Sequence, residues 1–139
     1  MGDPHEAENW GRFGVDSVER RMLVAAERSV GHRLRPRALT LGGGSRVEVE
    51  GIADDDSIIA QLIANQGAYK PAFRNKALAD MLKLLWVRSQ LPLAERALLI
   101  ATAEVVPAFG GWVAVAAADL GIEVLVYDGE DVRPLRAAA

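Results

Sequence analysis

The stretch VEVEGIADDDSIIAQLIANQGAYKPAFRNK, Val47 to Lys76, runs from an acidic segment through an apolar one to a basic end. Glu48, Glu50, Asp54, Asp55 and Asp56 all fall in its first ten positions. The next twenty hold no acid and include Lys70, Arg74 and Lys76. "RVEVEGI" (46–52) alternates, with Val47 and Val49 on one side and Glu48 and Glu50 on the other, the period of a half-exposed strand. "DDD" (54–56) has turn chemistry. "SIIAQLIAN" (57–65) is apolar on both sides, as a central strand covered on two faces must be, and Gln61 alone interrupts it.

Working outward, "RALTL" (37–41) reads as a strand joined to 46–52 through a "GGGS" (42–45) hairpin turn. The glycine run has no phosphate-loop lysine and does not lead from a strand into a helix. "AFRNKALADMLKLLWVRSQ" (72–90) predicts a long helix with Leu78, Met81, Leu82 and Leu85 facing inward. "RALLIAT" (96–102) is a buried strand, "PAFGGWVAVAAADLG" (107–121) a helix opening near Pro107 and stopping at Gly121, and "IEVLVYD" (122–128) a last strand. Upstream, "DSVERRMLVAAERSVG" predicts a helix, with Asp16 and Glu19 at capping-box spacing and Gly31 at its end.

The order α-β-β-β-α-β-α-β describes an α/β fold, a mixed sheet flanked by helices. Residues 1–14 read as a flexible N-terminal arm whose Trp10 and Phe13 dock on the body or on a partner. One domain spans 15–128, and 129–139 form a C-terminal tail.

At 139 residues and 50% hydrophobic, the chain suits one domain with one substantial core. A net charge of -3 gives no global basic field, so phosphate binding would need a local patch. The absence of cysteine excludes disulfides and thiolate metal sites, and His5 and His32 are too few for a His-rich one. The polar N-terminus and the lack of a membrane-length apolar run lead to the expectation of a soluble cytoplasmic protein.

A metal-dependent phosphodiester-cleaving site needs carboxylates around a hard cation and a lysine near the attacked phosphate. Glu50 and Gln61, on adjacent predicted strands, are placed for this, and Glu48 joins them by alternation. Each has an ordinary reading as well: Glu48 and Glu50 as a solvated strand face, Gln61 as a hydrogen-bonded core amide. Lys76, Asp80 and Lys83 share one helical face, as a solvated ion-pair stripe would. Yet Lys70, Arg74, Lys76, Lys83 and Arg88 against the lone Asp80 give 66–90 a local charge of +4, which favours a phosphate-facing surface.

On "VEVEGI", "QLIANQGAYK" and "KALADMLKL", the chain resembles small restriction-endonuclease-like proteins of the PD-(D/E)XK nuclease superfamily, over residues 16–128. The resemblance implies an αβββαβ core and metal-dependent hydrolysis of DNA. It implies that Glu50 is the metal-binding acid of the second strand and that Gln61 stands where the third strand carries its acid. Two residues on, the expected lysine is replaced by Ile63, and Lys76 on the following helix is its substitute, with Lys70 behind it. Glu19 matches the first-helix glutamate that joins the metal. The implied catalytic set is Glu50, Gln61 and Lys76; the metal set is Glu50, Gln61 and Glu19, for Mg²⁺ or Mn²⁺. Lys70, Arg74 and Lys83 are the expected DNA contacts. Two other expectations stand beside this one: a catalytically inactive module of the same fold that binds nucleic acid or a protein, and an assembly protein forming a homo-oligomer or larger complex.

Overall fold

The structure is a computed structural model and describes residues 10–135. The elements are α1 (Val18–Val30), β1 (Leu34–Leu41), β2 (Ser45–Ala53), β3 (Ile58–Ile63), α2 (Ala72–Gln90), β4 (Arg96–Thr102), a 3₁₀ segment (Ala103–Phe109), α3 (Trp112–Asp119), β5 (Ile122–Tyr127) and β6 (Val132–Pro134). Six strands form one mixed sheet in the order β1-β2-β3-β4-β5-β6. β1, β2 and β3 meander antiparallel; β3, β4 and β5 run parallel; β6 returns antiparallel.

β3 sits in the middle, and all six of its residues are buried. Its period of two divides the core. Ile59 and Ile63 join Phe73, Ala77, Met81, Leu84 and Val87 of α2 on one face. Ile58, Ala60 and Leu62 join Met22, Leu23 and Ala26 of α1 on the other. β4 repeats the division, Leu99 to the α2 side and Leu98 and Ile100 to the α1 side. A strand apolar on both sides is therefore what this central position requires.

Several elements differ from the sequence reading. The N-cap of α1 is Ser17, whose hydroxyl accepts from the Arg20 N–H at 3.2 Å, and not Asp16. β1 begins three residues early, at Leu34, because Leu34 and Arg35 pair with Ala53 and Ile52. The helix expected over 107–121 is divided. Pro107 lies in the 3₁₀ segment, and α3 starts only at Trp112, after Gly110 and a Gly111 with φ of 61°. On α2, Leu82 points to solvent at 70% exposure, whereas Ala77, Asp80, Leu84 and Val87 face inward. The helix carries apolar residues nearly all round, so its pattern alone leaves the inward phase open.

The two ends differ as well. Residues 1–9 and 136–139 of the expected arm and tail lie outside the described residues. Within the arm, Trp10 and Phe13 are each only 3% exposed and pack in the core beneath α1. Burying two aromatic rings outweighs the entropy of ordering this short segment. Within the tail, Val132 and Arg133 pair with Tyr127 and Val126 as β6. Among the described residues no helix is long and apolar enough to cross a membrane.

Candidate active site

The site begins with an irregularity in the β1–β2 ladder. Arg35 pairs with Ile52 and Arg37 with Val49. Two residues of β2, Glu50 and Gly51, therefore oppose the single Pro36, which is the definition of a bulge. Pro36 has no N–H to give to a regular ladder. Gly51 makes the bulge compact: a Cβ there would meet Leu23 Cδ2 at 2.7 Å and the Ala60 Cβ at 3.3 Å.

On its other side β2 pairs with β3 only at Gly51↔Ala60 and Ile52↔Ile59. Beyond that point side chains take over the work of the ladder. The Glu50 N–H donates to Gln61 Oε1 at 3.0 Å, and the Leu62 N–H donates to Glu50 Oε1 at 3.1 Å. Each strand's free N–H is thus satisfied by a side chain of the other strand. This answers the demand that every buried donor find a partner.

The same bonds orient Gln61, which is 2% exposed. A backbone N–H can only donate, so the oxygen of the amide must face it and the NH₂ must turn the other way. There Nε2 donates to Glu50 Oε1 at 3.1 Å and to Asp80 Oδ1 at 3.3 Å. One amide thus bridges two buried carboxylates. Asp80, 4% exposed, is reached from α2, and its second oxygen accepts from Lys76 Nζ at 2.8 Å. Lys76 stands one helical turn earlier with its side chain half exposed. From the N-terminal segment, Arg12 donates from Nη2 to Glu50 Oε2 at 3.2 Å and pairs through Nε with Glu48 Oε1 at 3.1 Å.

The electrostatics follow from this packing. Burial holds the Glu50 carboxyl above its usual pKa, and the neighbouring charge of Asp80 adds to the effect. The Leu62 N–H, Lys76 and Arg12 oppose it. Burial therefore disfavours the charged form of Glu50, and its partners oppose that cost.

Of the residues expected from sequence, Glu50, Gln61 and Lys76 come together here. Ile63 is buried in the apolar core. Glu19 lies in the first turn of α1, and among the described residues no hydrogen bond or ion pair joins it to Glu50. Lys70 is exposed ahead of α2. Arg74 donates to the Gly110 carbonyl at 3.3 Å and lies over the Trp112 ring. Arg88 is likewise engaged, by the carbonyls of Leu120 and Gly121. Lys83 lines a shallow apolar surface with Ala79, Leu82 and Trp86. The basic stretch 66–90 is thus partly structural: Arg74 and Arg88 tie α2 to the segments flanking α3. Asp54 and Asp55 form the turn between β2 and β3, where Asp55 accepts from the Ser57 N–H at 3.0 Å.

Sequence reasoning missed two members. Asp80 had a signal: it lies three residues after Ala77 and four before Leu84, so the true inner face of α2 carries it into the core. Arg12 had none, because only folding brings it across 38 positions to Glu50.

As a metal-binding set, the donors are all oxygens, which suits a hard divalent cation. Among the described residues no three His, Asp or Glu side chains gather as a complete metal cage. Gln61 Oε1 faces the β2 backbone. The carboxylates on hand are Glu50 and Asp80, and a cationic guanidinium already rests on Glu50 Oε2. Both Asp80 oxygens are occupied as well, by Gln61 Nε2 and Lys76 Nζ, so the described residues present no ready metal-binding group. Comparison of the chain with known protein families, curated proteins and solved structures finds no match.

Proposed function

We propose that this protein is a divalent-cation-dependent nuclease with a restriction-endonuclease-like αβββαβ core, hydrolysing DNA phosphodiester bonds. The observation that carries the reading is the joining of Glu50, Gln61, Asp80 and Lys76 where β2 and β3 separate. Carboxylates and a lysine at the mouth of a splayed strand pair are what in-line attack on a phosphodiester asks of a protein.

In this reading Glu50 and Asp80 are the carboxylates that would hold Mg²⁺ or Mn²⁺, with Arg12 and Lys76 released from them. Such a cation, when bound, would supply polarisation of the phosphoryl oxygen and a lower pKa for the attacking water. Gln61 keeps the two acids a fixed distance apart and blunts their mutual repulsion by donating to both. Lys76, partly exposed beside Asp80, stabilises charge that develops on the phosphate. Lys70 and Lys83 supply the sequence-independent backbone contacts.

The test is a cleavage assay on single- and double-stranded DNA with Mg²⁺ or Mn²⁺. Glu50→Ala and Lys76→Ala are each expected to lower the rate by at least about 10²-fold, the usual scale for a lost electrostatic group, with an unchanged circular dichroism spectrum. Wild-type activity in Glu50→Ala overturns the reading. One observation favours a second reading, a binding module without catalysis: Gln61 uses its oxygen on the backbone and leaves only two acids for a metal. That reading expects salt-sensitive DNA binding and no product with either metal.

A further inference from the structure

Five of the eight large apolar side chains exposed among the described residues, Leu82, Trp86, Trp112, Val115 and Leu120, lie on or at the end of α2 and α3, so the free apolar surface is concentrated on one side of the sheet. Both helices pack on that side, α2 through Ala77 and Leu84, α3 through Val113 and Ala117. Arg74, in the first turn of α2, holds the Gly110 carbonyl just ahead of α3. Arg88, in the last turn, holds the carbonyls of Leu120 and Gly121 just after it. The two helices therefore lie side by side and run in the same direction. The outer surface they share is nearly uncharged. α3 carries Asp119 alone, and on α2 Lys76 and Lys83 fall to one flank of the row Ala79, Leu82 and Trp86. Trp112 is 61% exposed and Trp86 37%, whereas Trp10 is buried. Exposed indoles on a surface depleted of charge mark the centre of a protein interface, not a phosphate-binding surface.

We propose that this face is the interface of a homodimer, with a second copy of this chain seated on it about a two-fold axis. The proposal goes beyond the nuclease reading and does not depend on it. Area is the first argument. The two indoles together expose about the surface of one, roughly 200 Å², and Leu82, Val115 and Leu120 add roughly 200 Å² more. A patch of that size marks an interaction site on a soluble protein. Doubled by symmetry, and with the polar third that a homodimer interface carries, it makes a contact of about 1,200 Å², the lower limit of a specific interface. Shape is the second argument. Arg74 lies over the Trp112 ring at 5.8 Å, and shortly beyond Arg74 α2 carries the small, exposed Ala79. Ala79 opens a shallow hollow of about 400 Å³ edged by Leu82, Lys83 and Trp86. Near the end of α3 the exposed small residue is Ala118. A two-fold axis along the groove between α2 and α3 sets α2 of each copy over α3 of the other. Trp112 then enters the Ala79 hollow of the second copy, and Trp86 covers its Ala118. Large residues meet small ones twice, as a self-complementary contact requires. Lys83 keeps its stem on the rim and its ammonium in solvent, available to a phosphate.

The test is sedimentation velocity of the full chain from about 1 to 100 μM, the range that brackets a contact of this size. The wild type is expected to pass from monomer to dimer across it. Trp86→Glu and Trp112→Glu are each expected to weaken dimerisation at least about 30-fold, the scale of a lost aromatic anchor. Their circular dichroism spectra are expected to be unchanged, because both side chains are exposed. Val15→Glu makes an equal change at an exposed apolar residue ahead of α1 and is expected to dimerise like the wild type. A wild type that is monomeric at every concentration overturns the proposal. A dimer that survives both tryptophan substitutions places the contact elsewhere and overturns it too. Weakening by Val15→Glu as large as that by Trp86→Glu reduces the effect to net charge, with the same result. A monomer that floats with phosphatidylcholine vesicles, and ceases to in Trp86→Glu, gives the face to a lipid surface and overturns the dimer. DNA cleavage is tested separately by Glu50→Ala, so failure of either reading leaves the other standing.

Discussion

Glu50 is held where its own charge is disfavoured, and this has a consequence for stability. Its carboxyl titrates above the usual range, chiefly because it is buried. Between the ordinary carboxylate pKa and the raised one, the folded protein holds a proton that the unfolded chain has released. Stability at this residue therefore falls as pH rises through that window and stays lowered at neutral pH. Asp55 and Asp128 are shifted down by the hydrogen bonds they accept. Their contributions run the opposite way, present above the unfolded value and lost as pH falls. A comparison of two variants at fixed pH cancels these and isolates Glu50. Glu50→Gln keeps an acceptor for Leu62 and Gln61 and removes the buried charge. It should melt above the wild type near neutral pH. The gap should close near pH 4, where both side chains are uncharged. A variant that melts below the wild type at neutral pH contradicts this account.

At the scale of the element, β2 is decisive because its bulge sets where β2 and β3 part. Gly51 lets the strand approach Leu23 and Ala60 more closely than any side chain permits. In Gly51→Ala the new methyl must push aside a Leu23 that is wholly buried. Overpacking of this kind costs about 1–3 kcal/mol, to be read from the urea midpoint. The displaced strand also moves the Glu50 amide away from Gln61, so Mn²⁺ affinity or cleavage should fall together with stability. A fully active and equally stable Gly51→Ala would mean that the bulge does not hold the site. α2 contributes in another manner. It delivers Asp80 and Lys76 one turn apart, so the buried acid and its half-exposed cation arrive as one rigid unit.

In the whole molecule, the N-terminal segment joins the α1 core to the acids at the β2–β3 fork. Trp10 and Phe13 are anchored beneath α1, while Arg12 between them reaches Glu48 and Glu50. Trp10→Ala removes a buried ring and the face on which Arg20 and Arg35 rest. Such truncations cost about 3–5 kcal/mol, and a denaturant melt of the full chain measures it. A loss below about 0.5 kcal/mol, the scale of surface substitutions, would show the segment to be a loosely attached arm.

Much of this architecture is legible in the amino-acid order. The alternation of 46–52, the doubly apolar 57–65 and the long helix 72–90 recover β2, β3 and α2 with small errors at their ends. Periodicity reports which local structure a segment adopts, because side-chain direction follows the backbone repeat. It also singled out Gln61 as a polar group in an apolar run, and Glu50 as an acid on the polar side of the neighbouring strand. On α2 it placed Met81, Leu78 and Leu85 against the core, but it misplaced Leu82 and did not bring Asp80 into the site. It left open whether Trp10 and Phe13 dock on the body or on a partner, and it did not show that Val132–Pro134 adds a sixth strand. The sequence by itself determined most of the elements, the central place of β3 and the positions of Glu50 and Gln61 on neighbouring strands. Only the tertiary structure decided which group engages each oxygen of Glu50 and Asp80, which way the Gln61 amide turns, and that Arg12 rests on Glu50. Those are outcomes of three-dimensional competition for hydrogen bonds between groups up to 38 positions apart, and no local pattern encodes them.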